Sequence, residues 1–384
     1  MDIFHNKENS MCKIKNIKHK KFVLPVILFV LVITGGYCFK NIYYRTAIIR
    51  TFAKGSWYID SEEDTVYTMG YYGIQKYLYQ GKEKLSLIAE NDKFCKNTLI
   101  ARSAVIGKDY VYVIARSYLG GITETGEKDY HNGAIIVMRK NDLAIIRDIP
   151  ADIKYVEGKI VKNKLVISGI MGYDIYDVTN REYPVLAYKH RTPQRSEFQG
   201  CDTFTKDSMD YVVFSRYTEG IQVWNITDIH HPKEVALVPT NADGCMTFDV
   251  TVDYPYVYST LAPGNGSFNT ENDKRGIIVY DLNDLHNIST KKILIPRNQW
   301  YNVKVGDKEP TFIEKTGNKL YVNFADKGLA EFDITSPNFP RFIKTTDVNN
   351  CGGHVQPFHI LSGGVILSGN YWWKDIYVYE TKSK

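Results

Sequence analysis

An all-β, seven-bladed β-propeller following one N-terminal transmembrane helix is the fold this sequence predicts, and three observations carry it. Of its 384 residues, 29 are tyrosine, a residue that with Ile and Val suits pleated, half-buried surface. A short apolar strand, a glycine, an alternating strand ending in Asp or Asn, and a polar turn with proline recur along the chain. The recurring glycines are Gly73, Gly133, Gly172, Gly220, Gly276 and Gly328, spaced by about 40 to 60 residues, the length of a four-stranded blade plus insertions.

Composition bounds the rest. Apolar residues at 44% and charged residues at 24% are those of a folded protein. The net charge of +5 sits partly in the first 21 residues and gives no reason to invoke nucleic acid.

At the N-terminus, Lys13, Lys15, Lys18, Lys20 and Lys21 precede an uncharged apolar run from Phe22 to Phe39. That run lies at the short end of the ~17–25 residues a membrane-spanning helix needs. The lysines stay cytoplasmic, which sends the bulk of the chain outside. A cleaved secretory signal is the rival reading, and bulky Tyr37 before Cys38 argues against lipidation. The expected organisation is a basic cytoplasmic tail over 1–21, a transmembrane signal anchor over 22–39, a linker with a ring-closing strand over 40–55, and the propeller over 56–384.

The copies follow in order. The strongest are Lys164–His190, Asp210–Pro239 and Lys319–Asp347; weaker ones run over Thr65–Glu90, Asp109–Pro150, Tyr256–Pro296 and Gly363–Glu380. A further strand precedes each, as in Met246–Asp253 and Val355–Ser362. The last copy stops one strand short, and Ala47–Ala53 is expected to supply that outer strand, closing the ring and removing exposed sheet edges. Six blades is the count if the first copy is irregular.

"GYDIYDVTNREYP" (Gly172–Pro184), "GIQVWNITDIHHP" (Gly220–Pro232) and "GLAEFDITSPNFP" (Gly328–Pro340) resemble the repeat of the LVIVD β-propeller family. The likeness covers about residues 56 to 380, with Asn225 where the usual residue is Asp. It implies a propeller placed outside the cytoplasm, and no transferable catalytic residues.

Alignment of the copies decides how isolated residues read. Asn225 takes the place of Asp177, Asp281 and Asp333 at the end of the third strand, where a short Asx side chain bonds the backbone of the following turn. Asp228, His230 and His231 then fall in an ordinary solvated turn. Propeller topology puts the segment leading into each innermost strand on the same face as the loop between the second and third strands. Cys201, Cys245 and Cys351 sit in such segments with Asp202, Asp243, His354 and His359, giving a candidate channel mouth. A cysteine–histidine pair with a nearby acid has the ingredients of nucleophilic catalysis, whereas small cysteines also pack where strands crowd, or pair as a disulfide between blades.

Two long insertions reach the same face: Arg116–Gly133, with Tyr118, Tyr130 and His131, and Ala262–Gly276, with Asn265, Asn269 and Asp273. Loops of that length are candidate binding loops. The second is rich in oxygen ligands but lacks EF-hand spacing, so no metal and no cofactor is assigned. No nucleophile elbow, P-loop, dinucleotide fingerprint or HExxH is present. The expected function is a membrane-anchored, extracytoplasmic, non-catalytic binding or scaffold module, monomeric, for a surface protein or glycan. The alternative is an extracytoplasmic hydrolase or lyase with its site at the channel mouth.

Overall fold

The computed structural model describes residues 48–49, 56–70, 73–81, 84–94, 99–117, 132–192, 197–240, 245–263, 274–296, 310–324, 328–346, 355–361, 363–370 and 376–380. The cytoplasmic tail and signal anchor expected over 1–39 lie outside the described residues. Among those described, no helix is long and apolar enough to cross a membrane.

The described strands form seven antiparallel sheets. In chain order, sheet I comprises Ser56–Glu62, Thr65–Gly70, Gly73–Tyr79 and Leu85–Asn91, and sheet II comprises Leu99–Ile106, Tyr110–Ser117, Gly133–Arg139 and Ile145–Ala151. Sheet III runs through Tyr155–Val161, Lys164–Gly169, Gly172–Asp177 and Val185–Arg191. Sheet IV runs through Cys201–Lys206, Met209–Ser215, Ile221–Asn225 and Lys233–Val238. In sheet V the first strand is split into Cys245–Met246 and Val250–Asp253, both paired with Tyr256–Pro263, before Gly276–Asp281 and Ser289–Leu294. Sheet VI comprises Ile313–Thr316, Lys319–Phe324, Gly328–Asp333 and Arg341–Thr346. Sheet VII holds Val355–Ile360, Val365–Asn370 and Ile376–Glu380, and its fourth strand is Ile48–Ile49, paired with Tyr377 and Ile376. That short strand falls within the stretch expected to close the ring.

The first strands neighbour one another from sheet I to sheet VII, and that of sheet VII returns to sheet I. A closed ring results, with the first strands around a central channel. Period-two alternation builds the core between sheets. In strand Met209–Ser215, Val212 and Phe214 pack with Val166, Tyr173 and Ile175 of sheet III. Tyr211 and Val213 turn the other way, to Val257, Ile278 and Tyr280 of sheet V. Strands facing two neighbours therefore bury residues on both faces, while the outermost strand Val185–Arg191 has no buried residue.

Two repeat features have local causes. Gly220 stands just before strand Ile221–Asn225 at φ +93°, and a Cβ there would lie 2.1 Å from the Val238 carbonyl oxygen across the sheet. Only glycine meets both conditions. At the strand's far end, Asn225 Oδ1 accepts the Thr227 N–H at 2.9 Å. Asp177, Asp281 and Asp333 make the same bond to Thr179, Asn283 and Thr335 at 2.8, 3.0 and 2.9 Å. Asn and Asp serve alike because the bond needs an acceptor oxygen, not a charge.

Gly220→Ala is expected to cost more than about 1 kcal/mol, because it adds a steric clash to an unfavourable φ. Asn225→Ala should cost about 1 kcal/mol for one hydrogen bond, and Asn225→Asp far less. Urea unfolding midpoints at constant m check both; an Asn225→Ala midpoint equal to that of the parent would remove the turn bond from the account.

Candidate functional site: the channel and its mouth

The first strands present an unpaired row of N–H groups to the channel, because only alternate N–H groups face the second strand. Carboxylates from the preceding sheet meet several of them. Glu157 Oε2 of sheet III accepts the Cys201 N–H of sheet IV at 3.2 Å. Asp202 of sheet IV accepts Val252 N–H of sheet V at 2.8 Å. Asp249, just before the second part of sheet V's first strand, accepts Ile313 N–H of sheet VI at 3.0 Å. Glu314 of sheet VI accepts Ile360 N–H of sheet VII at 3.1 Å. Four successive seams share one device. At the II–III seam, Ser103 Oγ donates to the Val156 carbonyl at 3.2 Å. At the VII–I seam, His359 Nε2 lies 2.7 Å from Ser61 Oγ while its Nδ1 faces Glu314 at 3.0 Å.

The packed acids shift one another. Burial, then repulsion from Glu157, holds the Asp249 carboxyl well above the ordinary carboxylate range, although it accepts two backbone N–H bonds. Burial likewise raises Asp60. Burial opposes the Lys159 ammonium, but Glu157, 3.2 Å away, and the other acids outweigh it and raise its pKa well above that of a free lysine. His359 follows the same logic: burial disfavours its charged form and the Glu314 carboxylate more than compensates.

Among the described residues, two cavities lie along the channel. The upper, of about 310 Å³, is lined by Tyr58, Arg102, Ser103, Arg116, Glu157, Glu197, Gln199, Phe248, Asp249, Thr311 and Phe312 among others. The lower, of about 200 Å³, is lined by Asp60, Glu157, Lys159, Asp249, Glu314, Lys315 and His359 among others. Tyr58, Glu157, Asp249 and Phe312 line both, so they form the floor of one and the roof of the other. Ile170, in the turn between the second and third strands of sheet III, belongs to the upper cavity, which therefore opens on the face carrying those connections.

Of the residues expected at the mouth, Asp202 and His359 face the seams just described. Cys201 and Cys245 do not form a reactive centre. Both are buried, unbridged thiols in two different core clusters, Cys201 with Phe198 and Phe214, and Cys245 with Val250 and Leu261. Burial, then the Glu157 carboxylate, pushes the Cys201 thiol well above the ordinary range, which disfavours the thiolate. Asp243, Cys351 and His354 lie outside the described residues, as do Tyr118, Tyr130, His131, Asn265, Asn269 and Asp273. His231 is 80% exposed and pairs with Asp228 at 2.9 Å, in a turn at the opposite end of the sheet. Among the described residues, no group of three His, Cys, Asp or Glu side chains is arranged to hold a metal ion. Tyr58, Arg102, Glu157, Asp249 and Phe312 were not anticipated: Tyr58, Glu157, Asp249 and Phe312 share one register, four residues before the end of the first strand, but the residue type there differs from sheet to sheet.

A closed ring of four-stranded sheets around a lined channel defines a β-propeller, and solved structures agree on the fold. The WD40 β-propeller domain of Doa1 superposes with a TM-score of 0.59 at 8% identity, over 88% of this chain and 97% of that one. The periplasmic gluconolactonase PpgL of Pseudomonas aeruginosa gives 0.59 at 14%, over 82% and 87%. A chain of a mitotic checkpoint complex gives 0.58 at 11%, over 88% and 92%. No family model matches the chain, and no curated protein matches it.

Two outcomes test the seams. Asp249→Ala should lower stability by about 2 kcal/mol through unsatisfied N–H groups, and Asp249→Asn, which keeps an acceptor, by less. For His359 the folded pKa is raised, so its contribution is complete below its unfolded value near 6.5 and is lost as pH rises through the folded value. Urea midpoints should therefore fall between pH 6 and pH 8 more steeply in the parent than in His359→Gln. Parallel slopes would separate His359 from the pH dependence.

Proposed function

We propose that the protein is a membrane-anchored, extracytoplasmic binding or scaffold propeller of seven blades, of the LVIVD type, whose partner is a protein or glycan at the cell surface. One observation carries this reading. The carboxylates of Glu157, Asp202, Asp249 and Glu314 are committed to backbone N–H groups of the next sheet, and so hold the ring together. The two long connections between second and third strands, 118–132 and 264–275, leave sheets II and V at the end where the upper cavity opens. A rigid ring presenting long segments on one face is the arrangement of a binding surface on a scaffold.

The lysine cluster before Phe22 supports an anchor with the propeller outside. The presence of a similar propeller in a mitotic checkpoint complex supports protein binding as a use of the fold. The gluconolactonase of similar fold shows that the scaffold also carries enzymes. The hydrolase or lyase reading for this chain, however, loses its nucleophile candidates Cys201 and Cys245 to core packing.

Intact cells expressing the full chain, treated with a membrane-impermeant cross-linker, should yield a labelled propeller joined to a partner. Versions lacking Gly120–Asn132 or Asn265–Asp273, with unchanged melting temperature, should lose that partner while keeping the label. An unlabelled propeller would overturn the outside placement, and undiminished recovery would overturn the assignment of the face.

A further inference from the structure

The outermost strand of each sheet has one edge without a neighbour in its own sheet, and proteins blunt such edges with charges, lysine above all, or with proline. Sheets II to VI do so, with Pro150, Lys189, Lys233, Lys291 and Lys344 in their outermost strands. Sheet I does not. Its outermost strand, Leu85–Asn91, reads LSLIAEN and holds no Lys, Arg or Pro.

The apolar side chains of this rim are also turned out. Leu87 and Ile88 are 51% and 50% exposed, and Leu78 of the adjoining strand is 37% exposed. Lys76 and Tyr77 oppose Ala89 and Leu87, so Ile88 is the extra residue of a bulge, which bends the strand and leaves that residue unpaired. Sheets II, III, IV and VI carry a bulge at the matching place. Among these five, only in sheet I are the extra residue and the one before it both exposed.

The charges beside the bulge point to what covers it. Lys84 stands three residues before Leu87 and Glu90 three residues after, and both are exposed. Glu90 accepts the Gln75 amide at 3.1 Å through Oε2. When two identical strands approach antiparallel with Leu87 at the crossing, equal offsets oppose each other. Lys84 of each copy then meets Glu90 of the other, and the apolar side chains meet at the centre. A two-fold interface requires this self-complementarity, and opposite charges across a strand pair are favourable where like charges are not. A parallel approach would set Lys84 against Lys84.

We infer that the rim of sheet I is a self-association surface, on which two copies of this chain meet antiparallel about a two-fold axis at Leu87. Because the bulge bends the edge, contact runs through side chains and not through a continuous ladder of backbone hydrogen bonds. Leu87 and Ile88 supply the apolar contact, and the two Lys84–Glu90 pairs fix direction and register. The inference departs from the monomer expected from the sequence, and it does not depend on the partner-binding segments proposed above.

A cysteine on the axis tests it, since that residue faces its own copy. In the full chain in detergent, copper–phenanthroline oxidation should link Leu87→Cys into a species of twice the chain mass, above the level given by the parent. Leu237→Cys, on the rim of sheet IV at a residue 48% exposed, should stay at the parent's level. Adding Lys84→Glu should lower the linked yield by about tenfold or more, because like charges then face each other on both sides of the axis. Adding Glu90→Lys to that variant should restore it. Sedimentation velocity should show a concentration-dependent dimer for the parent and a single copy for Leu87→Asp, at an unchanged melting temperature. No dimer of the parent, equal linking at Leu237→Cys, or a charge reversal without effect or without rescue would each overturn the inference. None of these outcomes bears on recovery of the cross-linked partner by the loop deletions.

Discussion

A propeller must seal the seams between its first strands, and here a carboxylate from one sheet accepting a backbone N–H of the next does so. The first strand of every sheet is an edge, with alternate N–H groups pointing at no strand of its own. Glu157, Asp202, Asp249 and Glu314 each cross one seam to reach such a group. A hydrogen bond to a charged acceptor contributes about 1.5–3 kcal/mol, and an unmet N–H in the ring would cost a comparable amount. The device crowds acids into a narrow channel, which is why Lys159 and His359 stand among them and why Asp249 is driven toward its neutral form.

At the outer ends of the seams the turn after the third strand does the corresponding task. Tyr112 Oη of sheet II donates to the Arg181 carbonyl in the turn of sheet III at 2.8 Å, and Tyr258 Oη of sheet V donates to Pro337 in that of sheet VI at 3.0 Å. Cations from the preceding outermost strand cover the turn's aromatic residue: Arg147 lies 5.1 Å from the Tyr183 ring centroid and Lys291 3.3 Å from that of Phe339. The repeat is therefore fixed at this end by contacts between sheets as well as within them. That explains why the segment from the glycine to the proline is the most uniform part of the three strong copies.

This uniformity made the architecture legible. Gly220 and Asn225 answer to backbone geometry that every sheet shares, so the same residue types return at the same spacing, and Asp228, His230 and His231 could be read as a turn. The channel was far less legible. Glu157, Asp202 and Asp249 share a register, each four residues before the end of its first strand, but Tyr58 and Phe312 hold the same place in sheets I and VI, so no repeated residue type marks it. His359 was found because histidine is rare, with 9 in the chain. Arg102 could not have been, since its direction depends on a bulge with no sequence mark. Cys201 and Cys245 looked like a site because they lead into innermost strands, but crowding at that position selects small apolar side chains for packing.

The two ends of the ring are thus unequal in what they can tolerate. At the turn end, the Asx acceptor, the tyrosine bond and the cation over the aromatic ring leave little that can change without loosening a seam. At the other end the connections leave from the second and third strands, and the ring's closure asks nothing of their length: Gly169 to Gly172 is a tight turn, whereas Ser117 to Gly133 and Pro263 to Gly276 are long. Closing long loops costs free energy that grows only slowly with length, so insertions accumulate where no seam forbids them. The upper cavity lies toward that same end, where Ile170 of one such connection lines it. Scaffold and surface are separated along the channel axis, with the row of carboxylates between them.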